Sequence, residues 1–201
     1  MKKIISVVTV ATALLLSGCS QVGAAATIGG TKITQSTIQG SVDSILEERT
    51  KIDTSSMQLE TGEELNRSQL RFHVFATLLN EIAKKTKIEV SKAEIDTRRA
   101  SVLNQIGGIA QLPTALVGAG IAPKDLDLYL QSIIISDKLS QALAANGVTQ
   151  DEIGNAIQNL VIETATLKKV TVNPRYGVWD SVNGDVVAKD SAGSAVTPST
   201  N

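Results

Sequence analysis

The sequence predicts a mainly α-helical domain with a small β-sheet, formed by an N-terminal hairpin and a returning C-terminal strand. Three observations lead to this prediction: a Gly-Gly turn between two short runs near residue 30, several long segments with apolar residues at helical spacing, and a Val- and Thr-rich run after the last of them. Hydrophobic residues make up 42% of the 201 residues. Only two Phe, two Tyr and one Trp are present, so we expect an aliphatic core.

Charge and the counts of cysteine and histidine exclude several classes of function. The formal net charge is −1, whereas a general nucleic-acid binder normally carries a basic excess. One cysteine excludes an intramolecular disulfide and a Cys-based zinc site, and one histidine excludes a His-rich metal site. We therefore expect no metal, no cofactor, no nucleic-acid partner and no small-molecule substrate.

The first 19 residues have the three parts of an export signal. Lys2 and Lys3 precede an uncharged apolar run over 4–16, which is too short to span a bilayer, because a spanning helix needs about 20 residues. Leu16-Ser17-Gly18-Cys19 then has the pattern recognised by lipoprotein signal peptidase. The pattern predicts a signal peptide over 1–18 and acyl chains such as palmitate on Cys19. Two other interpretations stay open: an ordinary cysteine near a simple secretory cleavage site, and an uncleaved anchor.

A lipid on Cys19 would hold the protein at the outer face of the bacterial cell membrane, because two acyl chains give stable anchoring. After the signal peptide we expect a linker over 19–25, one domain over 26–181, and a disordered tail over 182–201 that is rich in Ser, Ala, Gly, Thr and Pro. The linker reaches about 20 Å when fully extended, so the domain should lie close to the bilayer.

Strands are predicted at both ends of the domain. Residues 26–33 read as two short strands around Gly29-Gly30, and residues 167–172 read as a strand that Asn173-Pro174 terminates. A lone strand is unstable, so the second segment should pair with the N-terminal hairpin. The two ends of the domain would then meet.

Three helices are predicted to begin with one device, in which an apolar residue precedes a Ser or Thr cap and an Ile follows four residues after the cap. The caps are Thr34, Ser91 and Thr149. Glu94 and Glu152 stand at the capping-box position of the second and third. We therefore expect helix starts at 34, 91 and 149.

Apolar spacing predicts two further helices. One runs from about Glu63 to Thr86 and carries the stripe Leu65, Phe72, Phe75, Leu79 and Ile82. The other begins at Pro123, after a loop rich in Gly and Pro that follows residues 107–108, and ends at Asn146-Gly147. Apolar residues occupy more than one face of this second helix, so we expect it to be the central buried helix.

Candidate catalytic residues all have simpler interpretations. His73 lies one position off the apolar stripe, and without a nucleophile or carboxylate near it in sequence we expect it at the boundary or surface. The paired acids at 47–48 and 63–64 should be solvated, because neighbours on a helix do not face each other. The Gly pairs at 29–30 and 107–108 lack the context of a phosphate loop. We therefore predict no catalytic residue and no enzyme.

The run Asn173-Pro174-Arg175-Tyr176-Gly177, with Trp179, contains two of the five aromatic residues. Such a cluster either contacts a ligand or, more often, packs a chain end against the body of a domain. We favour packing here.

The order of elements and two motifs resemble the N-terminal chaperone domain of the SurA and PrsA family of extracytoplasmic folding factors. The opening motif is Ile28-Gly29-Gly30-Thr31-Lys32-Ile33-Thr34. The closing motif, from Val170 to Asp180, looks like the closing strand of lipoprotein members. The resemblance covers about residues 25–181.

The chain departs from many members of that family by lacking room for a parvulin prolyl isomerase domain. Only about twenty residues, 148–167, fill its place, so the resemblance does not imply isomerase activity. It implies a membrane-anchored chaperone-like binder, a holdase or folding helper, for unfolded or extended exported polypeptides. The alternative is a non-enzymatic adaptor lipoprotein that binds one specific envelope partner.

Overall fold

The computed structural model describes residues 23–189, so the predicted signal peptide, Cys19 and residues 190–201 of the predicted tail lie outside the described residues. The strands are β1 (Ala24–Ile28), β2 (Thr31–Thr34), β3 (Thr171–Val172), β4 (Val178–Asp180) and β5 (Asp185–Val187). The helices are α1 (Gln35–Arg49), α2 (Gly62–Thr86), α3 (Lys92–Gln105), α4 (Leu112–Gly118), α5 (Leu126–Ala145) and α6 (Ile153–Leu167). The predicted mainly α-helical fold with a small sheet is confirmed.

The N-terminal hairpin and the returning strand form one antiparallel sheet in the order β2-β1-β3. Ala26 pairs with Val172, and the Thr27 and Thr171 hydroxyl oxygens lie 2.6 Å apart. Asn173 extends the contact, because its side-chain amide donates to the Ala24 carbonyl at 3.0 Å. The two ends of the domain meet as predicted, although β3 is shorter than the predicted 167–172 because α6 continues to Leu167.

The domain extends beyond its predicted bounds of 26–181 at both ends. Strand β1 begins at Ala24, so two residues assigned to the 19–25 linker belong to the sheet, where Ala24 and Ala25 are buried. At the other end, part of the tail predicted over 182–201 forms β5, which pairs with β4 and buries Val186. The largely polar composition after 181 hid this strand, which is stable because the hairpin packs against α2 and the core.

Helix α2, and not the predicted α5, is the central helix. It packs against α1, α5, α6, β1 and β5. Ten of its residues are buried, against five of α5. The second apolar face of α5 lies against α3, a helix with no buried residue, so that face is only partly covered.

The helix starts at Thr34 and Ser91 are confirmed, and the start at Thr149 is wrong by three residues, because the cap position of the last helix is Glu152. The Thr34 hydroxyl accepts from the Thr37 N–H, and Ser91 forms a complete capping box with Glu94. The Thr149 hydroxyl instead donates to the Glu152 carboxylate at 2.6 Å, and α6 begins at Ile153. No backbone N–H in the described part of the chain donates to the Thr149 hydroxyl, whereas the Glu94 N–H donates to the Ser91 hydroxyl, so the turn at 150–152 precedes the helix.

The predicted Gly- and Pro-rich loop contains a helix that the composition concealed. Pro113 lies in the first turn of α4, where its missing N–H costs no hydrogen bond. Leu116 and Val117 are buried, and α4 packs against α1.

The β4–β5 hairpin depends on a glycine that no other residue replaces without strain. Gly177 has φ +139°, and a Cβ at this position would lie 2.2 Å from the Val187 carbonyl oxygen. A methyl group there must displace backbone, because a carbonyl cannot rotate away as a side chain can. Gly177 therefore fixes the close approach of the chain before β4 to the end of β5.

We expect Gly177→Ala to lower the free energy of unfolding of the protein by about 1–3 kcal/mol, because the variant combines backbone strain with a steric clash. Urea unfolding followed by circular dichroism measures the change. Gly30→Ala is the matched control, since a Cβ at Gly30 has nothing within 4 Å. Equal stability of the two variants would contradict the assigned role of Gly177.

Candidate functional site

An open groove of about 630 Å³ lies between α2, α6 and the β4–β5 hairpin. Its apolar wall is formed by side chains from all three elements: Phe72, Phe75, Ile157, Val161, Trp179 and Val186. Three of the five aromatic residues of the chain line this one groove. A largely apolar concave surface of this size suits a peptide or another partly apolar ligand.

Helix α2 supplies one wall of the groove, because some residues of its predicted apolar stripe lie in the core and others line the groove. Leu65, Leu79 and Ile82 are buried in the domain, as predicted. Phe75 is 42% exposed and Phe72 is only partly buried, so both reach the groove. Spacing alone does not separate a core residue from a groove residue, because both belong to the same apolar stripe.

The hairpin forms the opposite wall and is fastened by polar contacts at its rim. Arg71 on α2 donates two hydrogen bonds, each 2.7 Å long, to the Asp185 carboxylate. Gln158 on α6 donates to the Asn183 carbonyl at 3.3 Å. These contacts hold Trp179 and Val186 in place across the groove.

The aromatic cluster of the closing motif has two roles. Tyr176 is buried in the main core, which confirms the packing interpretation for this residue. Trp179 is half-buried, packs against the same core and also lines the groove. A ligand in the groove would therefore contact Trp179.

His73 is not the boundary or surface residue that the sequence predicts. It is 7% exposed, and its Nε2 atom lies 3.0 Å from the Ser41 hydroxyl and 3.4 Å from the Asp125 carboxylate. Ser41 also donates to Asp125 at 2.5 Å. The prediction was wrong because both partners are distant in sequence. Ser41 lies on α1, 32 residues before His73, and Asp125 lies in the 3₁₀ turn before α5, about 52 residues after it.

The three side chains of this cluster are not arranged as a catalytic triad. A triad places the serine at one ring nitrogen and the carboxylate at the other, whereas here both approach Nε2. Ser41 has no exposed surface, so a substrate has no access to its hydroxyl. The cluster joins α1, α2 and the turn before α5 through hydrogen bonds inside the domain.

The electrostatics of the cluster favour an ionised Asp125. Burial by itself raises the pKa of this carboxyl, but hydrogen bonds from His73 and Ser41 and the contact with Lys124 outweigh burial and lower the pKa to about 2. A carboxyl whose pKa is lower in the folded state stabilises the fold above its unfolded value of 3.8. That stabilisation is lost as the pH falls towards 2.

The paired acids and the Gly pairs, which were also considered as functional residues, occupy surface and turn positions as predicted. Glu47, Glu63 and Glu64 are exposed, and Glu47 and Glu48 both pair with Lys51. Gly29-Gly30 forms the turn between β1 and β2, and residues 107–108 follow the end of α3. Within residues 23–189, no group of three or more His, Cys, Asp or Glu side chains is placed to hold a metal ion.

Lipidation of Cys19 stays a prediction, because this residue lies outside the described part of the chain. Between residues 23 and 189, no helix has the length and apolar character needed to cross a membrane.

We expect Asp125→Asn to lower the free energy of unfolding by about 2 kcal/mol at pH 7, because the amide keeps the shape of the carboxyl but loses its charge. Urea unfolding at pH 7 and at pH 3 measures the effect. The difference from wild type should shrink at pH 3, where part of the stabilisation of the wild type is lost.

The matched control for this prediction is Asp43→Asn, which removes an exposed carboxylate on α1. We expect this control to have the stability of the wild type at both pH values. An Asp125→Asn difference that does not change with pH would contradict the ionised state assigned to Asp125.

Comparison with known protein families supports the predicted resemblance over the first half of the chain. A family model described as the SurA-like N-terminal domain matches residues 1–102, which cover β1, β2, α1, α2 and most of α3. Searches of curated proteins and of solved structures gave no match. The match covers half of the chain. The chain therefore belongs to the SurA-like N-terminal domain family, a chaperone-type family.

Proposed function

We propose that this protein is a lipoprotein, anchored through Cys19 to the outer face of the bacterial cell membrane, that acts as a holdase for unfolded exported polypeptides. The observation that carries the proposal is the open apolar groove, with its exposed Phe75, in a member of a chaperone-type family. A monomeric domain rarely leaves an aromatic-lined concave surface uncovered without a ligand for it.

The chemistry of the groove favours weak and sequence-tolerant binding. Its wall is mainly hydrocarbon, and the polar groups at the rim, Arg71 and Asp185, already bond to each other. Covering a partly exposed aromatic side chain contributes about 1 kcal/mol, so several contacts give only modest affinity. Modest affinity suits a holdase, because its clients must be released to fold.

The position of the first strand supports action close to the membrane. Strand β1 begins at Ala24, so five Cα-to-Cα steps separate it from Cys19. Five steps span at most about 18 Å. A lipid on Cys19 would therefore keep the groove within reach of chains that emerge unfolded at the membrane surface.

The proposed function does not include prolyl isomerase activity. The segment between α5 and β3 holds α6 and its flanking turns, where a parvulin domain would need about a hundred residues. The proposed role is binding alone.

We expect the full-length lipoprotein in phosphatidylcholine vesicles to slow the aggregation of a chemically unfolded exported protein at near-stoichiometric ratio. Phe75→Ser should weaken client binding about fivefold, because it removes roughly 1 kcal/mol of apolar contact in the groove. Light scattering during dilution from denaturant measures aggregation, and quenching of Trp179, the one tryptophan, reports occupancy of the groove.

Leu46→Ser is the matched control for the groove variant, because Leu46 is 44% exposed on α1 and lies outside the groove. It should leave client binding unchanged. A wild-type protein that does not slow aggregation would contradict the holdase proposal. Capture of one folded partner instead would favour the adaptor function.

We expect the wild-type protein to incorporate labelled palmitate in bacterial cells and Cys19→Ser to incorporate none, because the serine hydroxyl does not replace the thiol as the attachment point. Gel fluorography and the mass of the mature N-terminal peptide provide the measurement. Ser20→Ala should retain the label. Label that persists in Cys19→Ser would contradict attachment at Cys19.

A further inference from the structure

A second pocket, of about 430 Å³, adjoins the apolar groove. Ser68 and Phe72 line both, so the two form a continuous surface along α2. The second pocket differs in character, because the end of α1, the segment 58–60 and the segment 117–121 bring polar groups to it. A polypeptide lying in the groove and passing over Phe72 would reach this pocket.

Arg49, the last residue of α1, lines the second pocket with an incompletely bonded guanidinium group. Its Nη1 atom donates to the Glu60 carbonyl at 2.9 Å. Its Nε atom is buried and has no hydrogen-bond partner, and among residues 23–189 no carboxylate lies within ion-pair distance of Arg49. A buried guanidinium nitrogen without an acceptor is rare and needs an explanation.

The comparison with Arg99 shows what is missing at Arg49. The Nε atom of Arg99 is likewise buried and unbonded, but its Nη2 atom pairs with the Asp127 carboxylate. The charge of Arg99 is thus balanced inside the domain. No carboxylate in the described part of the chain forms an ion pair with Arg49, so its charge has no partner there.

The other groups of the pocket indicate what a ligand would meet. Gln69 is buried and already donates to the Gly120 carbonyl at 2.9 Å, so its amide is fixed. Glu60 is the one acidic residue of the lining, and its carboxylate forms no ion pair with Arg49. A guanidinium that lacks a carboxylate binds one preferentially, because its planar donors match the two oxygens.

We propose that this pocket is a subsite for a carboxylate group of the polypeptide that occupies the groove. The inference rests on the proposed holdase function and gives it a chemical preference. The carboxylate belongs to the C-terminus of the polypeptide or to an Asp or Glu side chain. It lies close in sequence to the side chain that packs on Phe72, because Phe72 lines both the groove and the pocket.

The experiment compares matched peptides without tryptophan, bound to the full-length lipoprotein in phosphatidylcholine vesicles, by titration of Trp179 fluorescence. One pair shares an apolar sequence and ends in a free carboxylate or an amide. A second pair is amidated and has Glu or Gln two residues after the apolar segment. We expect the carboxylate member of at least one pair to bind about tenfold more tightly, and the pair that shows the preference identifies the source.

Variants of the pocket connect the preference to Arg49. Arg49→Gln should abolish the tenfold difference by weakening the binding of the carboxylate peptide. Glu60→Gln should increase the difference, because it removes the one negative side chain of the lining. Arg175→Gln is the control for net charge, because Arg175 is exposed and lies outside both pockets.

The outcomes separate this inference from the function on which it rests. Equal binding of all four peptides by the wild type would overturn the subsite and leave the holdase proposal standing. A preference that survives in Arg49→Gln would also overturn the subsite. No binding of any peptide would overturn both proposals, and the wild-type comparison decides the matter even if a variant does not fold.

Discussion

The structure depends on the burial of one helix on nearly all its sides. Helix α2 has ten buried residues and is enclosed by α1, α5, α6 and two strands from opposite ends of the chain. No local segment provides this enclosure, because β1 and β5 are separated by the whole length of the domain. The pairing of β3 with β1 brings those ends together. The core is therefore completed only when the last described elements return to the first.

The groove is a consequence of the same helix. On the side of α2 that carries Phe72 and Phe75, α6 and the β4–β5 hairpin contact each other where Gln158 donates to the Asn183 carbonyl, but they leave the helix partly uncovered. The two hydrogen bonds from Arg71 to Asp185 fasten the hairpin to α2 at the rim of the groove. The apolar stripe of α2 thus contributes both to the stability of the fold and to the apolar surface of the groove.

Polar groups inside the domain are used in two different ways. Ser41, His73 and Asp125 satisfy one another, and their cluster ties three elements together as a buried polar network. Arg49 is left with an unbonded nitrogen beside a pocket that is continuous with the groove. The first arrangement is complete without a ligand, whereas the second leaves a charge that a ligand would balance. This difference separates a structural cluster from a binding subsite.

The sequence by itself determined the class of fold, most of the helices and the turn of the first hairpin, because each follows from local signals such as caps, glycine turns and apolar spacing. The pairing of the chain ends followed from a different constraint, since a lone strand needs a partner to be stable. The family resemblance, carried by the residues around Ile28 and Thr34, is confirmed over the first half of the chain. Only the tertiary structure decided that α2 is central, that Phe75 faces a groove while Leu79 is buried, and that His73 meets Ser41 and Asp125. These outcomes depend on contacts between residues far apart in the chain, and the spacing of residues within one helix carries no information about what lies opposite it.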